Sequence, residues 1–191
     1  MNITVKKLTP ELCGDFLDYF ENTAFTDHEE WAYCYCLECH LGMAEDEKMK
    51  DKNMRRALAE RLILSGKMQG YLAYDGNKTV GWCSADDKQN YRLLCCDAEY
   101  RTDEDKTDRI KSIYCFDIAH DYRGNGIAGL MLDRICTDAK SEGYQYVETY
   151  PFTDESMEYQ YHGSRKMYER HGFEIYAERN SFFIMRRTKV N

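Results

Sequence analysis

The chain has 191 residues, 43% of them hydrophobic and 31% charged, with 26 basic side chains against 34 acidic and a formal net charge of −8. This is the composition of a globular domain long enough for a sizeable core. It argues against a general nucleic-acid binder or an anionic-membrane binder, which need a basic surface, and it suits a cationic partner such as an amine. Ile3 to Leu8 alternates apolar and polar residues, which predicts a strand. Thr9-Pro10-Glu11 then opens a helix, with Thr9 as N-cap and Leu12, Phe16, Leu17 and Phe20 at helical spacing. A second, heavily charged helix is expected from about Glu45 to Leu64, with Met54, Ala57, Leu58 and Leu62 on its apolar face and Gly66 at its end. Strands are expected at Gly70–Tyr74 and Thr79–Ala85, joined by the hairpin turn Asp75-Gly76-Asn77-Lys78. The acidic stretch Asp97–Asp108 reads as an exposed loop, and Ile110–Ile118 as a strand.

A helix from Gly124 to Glu142 follows, ended by Gly143. Then come a strand at Tyr144–Tyr150, a loop over 151–163, a short helix at Ser164–His171 ended by Gly172, and a final hairpin, Phe173–Glu178 with Ser181–Arg186. Only two prolines occur, and no linker or repeat divides the chain, so one domain over residues 1–191 is expected. Strands interleaved with helices predict an α/β (α+β) fold, a mixed sheet with helices on its faces.

The segment that carries chemistry is the apolar strand ending at Ile118-Ala119, followed by Arg123-Gly124-Asn125-Gly126-Ile127-Ala128 and a helix. Glycines let backbone N–H groups converge with no Cβ in the way. The helix start adds unsatisfied N–H groups and the positive end of its dipole. Together these make an anion site suited to a pyrophosphate, with Arg123 as an added cation. The turn has neither the Gly-Lys-Ser/Thr of a Walker A loop nor the spacing of a dinucleotide fingerprint.

Arg123-Gly124-Asn125-Gly126-Ile127-Ala128 resembles the acyl-CoA-binding motif Arg-x-x-Gly-x-Ala of the GNAT N-acetyltransferase superfamily. Ile118 stands where that family has a branched aliphatic residue. Met167-Tyr168-Glu169-Arg170-His171-Gly172-Phe173 resembles its "YE-x-x-GF" segment. The resemblance implies a mixed, mostly antiparallel sheet of about seven strands, with a splayed central parallel pair, here Ile110–Ile118 and Tyr144–Tyr150. It implies acetyl-CoA as co-substrate, its pantetheine pairing near Ile118 and Ala119 and its pyrophosphate on the amides of Gly124 to Ala128. It also implies direct attack by a primary amine on the thioester, with Tyr168 as general acid. Asp117 and Glu148, one on each splayed strand, are the two candidate bases. The family's Asn before the last helix is replaced by Tyr161, and Tyr161 or Ser164 takes its place as a cofactor contact. The acceptor is expected to be a small-molecule amine, with no nucleic-acid or membrane partner, and the final hairpin is a candidate homodimer edge.

Trp31, Tyr33 and Tyr35 are candidate acceptor-pocket residues, since the region after the first helix shapes that site in the family. Cys36-Leu37-Glu38-Cys39-His40 fits the C-x-x-C-H haem signature, and Cys34, Cys36, Cys39 and His40 are candidate zinc ligands. Four ligands within seven residues crowd a tetrahedral site, so buried thiols lining a pocket are preferred and no metal is expected. Nine cysteines, an odd number, together with no apolar N-terminal leader, predict reduced thiols and a cytoplasmic location. The alternatives to an enzyme are a non-catalytic acyl-CoA sensor and a cysteine-rich metal-binding module.

Overall fold

In the computed structural model, which describes residues 1–156 and 160–188, seven strands form a single sheet in the order β1-β2-β3-β4-β5-β7-β6. The strands are β1 (Ile3–Lys7), β2 (Gly70–Asp75), β3 (Lys78–Asp87), β4 (Ile110–Ile118), β5 (Tyr146–Thr149), β6 (Glu174–Glu178) and β7 (Phe183–Thr188). All neighbours are antiparallel except β4 and β5, which are parallel. The expected mixed, mostly antiparallel sheet is therefore present.

The helices are α1 (Cys13–Asn22), α2 (Glu38–Leu41), α3 (Met43–Lys48), α4 (Lys52–Leu64), α5 (Arg92–Cys96), α6 (Ile127–Ser141) and α7 (Arg165–Arg170). Alternation along the strands feeds two cores. Leu72, Tyr74 and Trp82 pack with Phe16, Phe20, Tyr35 and Leu37 on the α1 side. Tyr71, Ala73 and Cys83 pack with Met131, Leu132, Ile135 and Tyr168 on the α6 side. Each large apolar side chain buried this way contributes about 1.5–3 kcal/mol.

Several elements differ from expectation for local reasons. Thr9 is extended and makes no side-chain cap, and one 3-10 turn, Pro10–Leu12, precedes α1. The single helix expected over 45–64 is two, α3 and α4. Asp51 breaks the run by capping α4, its carboxylate accepting from Met54 N at 2.8 Å. The buried stripe of α4 is Arg55, Ala59 and Ile63, while Met54 is 61% exposed. The stretch 97–108 is not a free loop. Lys88, 3% exposed, donates to Tyr100 O at 2.7 Å and Asp105 Oδ1 at 2.9 Å, and Arg186 donates to Thr102 Oγ1 at 2.7 Å. A buried cation needs anions around it, and this segment supplies them. Residues 157–159 of the expected 151–163 loop lie outside the described residues. No helix among the described residues is long and apolar enough to cross a membrane.

Candidate functional site

β4 ends at Ile118, and Ala119 N still donates to Val80 O on β3, at 3.0 Å. One 3-10 turn, His120–Tyr122, reverses the chain, and Gly124 and Gly126 both sit at φ +76°. This left-handed conformation is the reason for glycine at both positions, since space around each Cβ position is open. Asn125 steadies the turn, donating through Nδ2 to Tyr122 O at 3.2 Å and Arg123 O at 3.1 Å. The first backbone bond of α6 is Leu130 N to Gly126 O, 3.1 Å. The N–H groups of Gly124 to Ala128 donate to no acceptor among the described residues. With the dipole of a 15-residue helix behind them, they form an exposed cradle for an anion. Ala119 and Ile127, on either side of the turn, are buried.

Arg123 is not the free cation expected. Its Nε donates to Ile118 O at 2.9 Å, and its Nη1 and Nη2 reach Asp27 Oδ2 and Oδ1 at 2.5 and 3.3 Å. His120 Nδ1 also meets Asp27 Oδ2, at 3.1 Å. Burial pushes the Asp27 carboxyl up, but the bonds from Arg123 and His120 outweigh it and hold the group below its usual range.

The parallel pairing of β4 and β5 lasts four residues, from Ile110–Tyr146 to Ile113–Thr149. There the strands part. The β3–β4 register jumps from Ser84–Cys115 to Ala85–Ile113, leaving Tyr114 as a bulge at the parting point. The widening gap is bridged at its near end. Phe116 N donates to Tyr161 O at 2.6 Å, and His162 Nδ1 meets Tyr114 O at 2.5 Å. By the alternation of an antiparallel ladder, Ile118 turns its N–H to the same side as Phe116, further along the gap.

Tyr168 lies under this bridge, fully buried, and donates its hydroxyl to His162 O at 2.6 Å. Burial raises its hydroxyl well above the usual tyrosine range, so it stays protonated. Tyr161 is 39% exposed, with its ring against Phe152, and its carbonyl accepts from β4. Ser164 caps α7, its Oγ accepting from Met167 N at 3.3 Å.

The two candidate bases have opposite surroundings. Asp117, 8% exposed, accepts from the Tyr19 hydroxyl through Oδ1 at 3.3 Å, and its buried Oδ2 has no partner. Burial pushes its carboxyl up to about 7, against the pull of Arg123 and Tyr19. Glu148 has both oxygens occupied. Tyr150 Oη and Lys88 Nζ each lie 2.7 Å from Oε1, and Arg186 Nε donates to Oε2 at 2.7 Å. Glu148 is thus the anion of a buried ion network, not the open cleft-edge carboxylate expected.

Trp31, Tyr33 and Tyr35 have different surroundings. Trp31 stacks on His28 at 4.4 Å, Tyr33 is 36% exposed, and Tyr35 is fully buried with its hydroxyl on Glu21 Oε1 at 3.0 Å. Tyr35 and Cys36 both have positive φ, 47° and 51°, which turns Cys36 inward. There Cys39 Sγ donates to Cys36 O at 3.3 Å, and the neighbouring Cys115 and Cys39 thiols draw the Cys36 thiol well below the usual range. All nine cysteines are free, and no group of three or more metal-ligating residues has the geometry of a metal site among the described residues. Tyr19, Asp27 and His162 were not singled out as site residues from the sequence. Each acts through a partner 48 to 98 positions away in the chain, which no local motif announces.

Residues 67–175 match the family model of the acetyltransferase (GNAT) domain, more than half of the chain. No curated protein sequence matches it significantly. Among solved structures, the PaiA N-acetyltransferase of Thermoplasma acidophilum, in complex with coenzyme A, superposes with a TM-score of 0.56 at 13% identity, over 99% of this chain and 100% of that one. YncA of Salmonella typhimurium, with its cofactor acetyl-CoA, gives 0.56 at 13% identity over 98% and 94%. An acetyltransferase of the GNAT family from Streptococcus pneumoniae gives 0.54 at 14% identity over 98% and 99%.

Proposed function

The chain belongs to the GNAT acetyltransferase family, and on that premise we propose that it moves an acetyl group from acetyl-CoA to the primary amine of a small molecule by direct attack. The observation that carries this reading is the cradle of free amides from Gly124 to Ala128, set at the mouth of the gap between β4 and β5. Acetyl-CoA would supply the activated thioester, its pyrophosphate on those amides and its pantetheine along the edge near Ile118 and Ala119. The residues fit that group, because the glycines keep the cradle open and its amide N–H groups are unpaired among the described residues.

Asp117 is the base of this proposal. A buried carboxylate pushed to about 7, with one oxygen unpartnered, accepts a proton from an incoming ammonium near neutral pH. Tyr168 is the acid, since its hydroxyl stays protonated beside the gap and gives its proton to the leaving thiolate. An acceptor carrying positive charge agrees with the net charge of −8. β6 closes one edge of the sheet with Ile175 and Tyr176 42% and 45% exposed, which supports this hairpin as the seat of a second copy.

Titration calorimetry with acetyl-CoA tests the central claim. Binding is expected for the native chain, weakened about tenfold or more by Gly126→Val, because a β-branched residue at φ +76° distorts the cradle. No binding by the native chain, or equal binding by both, overturns the proposal.

A further inference from the structure

His162 is 3% exposed, and a buried imidazole is costly unless its polar atoms are used. Its Nδ1 faces a carbonyl, Tyr114 O, and must therefore be the protonated nitrogen. Tyr114 is the bulge residue, at the point where β4 loses β5 as a neighbour. The preceding carbonyl, Tyr161 O, takes the next amide along that edge, Phe116 N. Residues 161 and 162 thus stand in for two rungs that β5 no longer supplies. On the far side, His162 O accepts the Tyr168 hydroxyl at 2.6 Å. One residue therefore grips the bulged strand with its ring and the tyrosine with its backbone.

The surroundings hold that grip. The rings of Tyr114, Phe152 and Tyr161 lie 4.8, 4.6 and 4.3 Å from the imidazole and keep water away. Burial pushes the imidazole down to about 4, so it remains neutral and its Nδ1–H persists at physiological pH. Gly163, at φ +78°, turns the chain immediately afterwards, and a Cβ there would fall 2.7 Å from the Tyr168 hydroxyl. The approach of this segment to Tyr168 requires glycine.

We infer that His162 is a positioning residue for acetyl transfer, fixing the spacing between the bulged edge of β4 and the Tyr168 hydroxyl across the gap. The inference rests on the acetyltransferase reading above. It assigns His162 to geometry rather than to cofactor affinity, so its loss falls on kcat. In His162→Asn the amide Nδ2 can take the place of Nδ1–H, whereas His162→Leu fills similar space with no donor.

The test is steady-state kinetics of both variants on whichever amine the native enzyme acetylates, read by thiol release. His162→Leu should lower kcat about tenfold or more, with KM for acetyl-CoA within about twofold, and His162→Asn should recover most of the loss. An unchanged kcat in His162→Leu, a loss confined to KM, or an Asn variant as poor as Leu overturns the inference. A second readout needs no turnover. Nitrogen-15 spectra of the native chain should show His162 as the Nδ1–H tautomer, uncharged at pH 5, and the Phe116 amide should exchange faster in His162→Leu. A charged ring or an Nε2–H tautomer at pH 5 overturns it even where the Leu variant fails to fold. If the native chain acetylates no amine, the acetyltransferase reading falls, and the spectra alone judge the grip of His162.

Discussion

At the scale of single residues, Asp117, the proposed base, sets catalysis against stability. Its carboxyl is raised from an ordinary 3.8 to about 7, chiefly by burial. A raised carboxyl binds protons more tightly in the folded state. The stability this group contributes is therefore complete below about pH 4 and is lost as pH rises towards 7. Asp117→Asn should stabilise the fold at pH 8 by up to about 4 kcal/mol, the upper bound set by that shift. The same variant should lower kcat/KM about a hundredfold and abolish its rise between pH 6 and 8. Urea denaturation and a pH–rate profile check the two halves. Tyr168→Phe should lower kcat at least tenfold and leave acetyl-CoA binding by calorimetry within about twofold, since the hydroxyl bonds His162 O and no group of the cradle. An unchanged rate would remove Tyr168 from the chemistry.

At the scale of elements, the segment between α1 and α4 is organised by one buried cation. Arg55 donates to Tyr33 O at 2.7 Å, Cys34 O at 2.8 Å and Met49 O at 3.2 Å. These carbonyls lie outside the strands, with no ladder to satisfy them, and two of them immediately precede the left-handed pair Tyr35–Cys36. Arg55→Met should cost on the order of 3–5 kcal/mol in urea denaturation, because it removes the donor to Tyr33 O and Met49 O and leaves the Asp46 carboxylate, 2.8 Å from Nη2, without its cation. The sequence did not reveal this, since an arginine in a charged helix reads as solvated until its carbonyl partners are known. The glycine turn was legible for the opposite reason. Its chemistry lies within six consecutive residues, and both left-handed positions carry the only residue type that adopts them freely. Asp117 was legible as a carboxylate on a splayed strand, but its raised pKa depends on the packing of α1 against β3 and β4. Glu148 looked equivalent to it, and only the positions of Lys88 and Arg186 tell the two apart.

At the scale of the whole molecule, one charge network ties the end of β3 to β5, β6 and β7. Lys88 and Arg186 share Glu148, Arg186 pairs with Glu104 at 3.2 Å, and Tyr176 donates to Glu104 at 2.8 Å. Burial pushes Glu104 up, yet its backbone bond, Tyr176 and Arg186 together bring it down to about 2. The sign is opposite to that of Asp117. Its contribution is present at neutral pH and is lost as pH falls from about 4.5 towards 2. The urea midpoint of the native chain should therefore fall more steeply over that interval than that of Glu104→Gln. The strand count and the splayed parallel pair followed from element order and the family resemblance, whereas the order of strands in the sheet came from the structure. The segment that spans the gap did not, because it depends on contacts across 48 residues.

The four rungs shared by β4 and β5 have a mechanical consequence. They form a short seam between a four-strand body, β1 to β4, and a three-strand wing, β5, β7 and β6. Among the described residues, Tyr161 and His162 bridge the opening past Ile113 and Thr149, and the carbonyl of His162 also restrains Tyr168. Whatever lies in that opening becomes part of the frame joining body to wing. A molecule filling it would touch body and wing at once, and would brace a joint that the backbone ladder spans with four rungs.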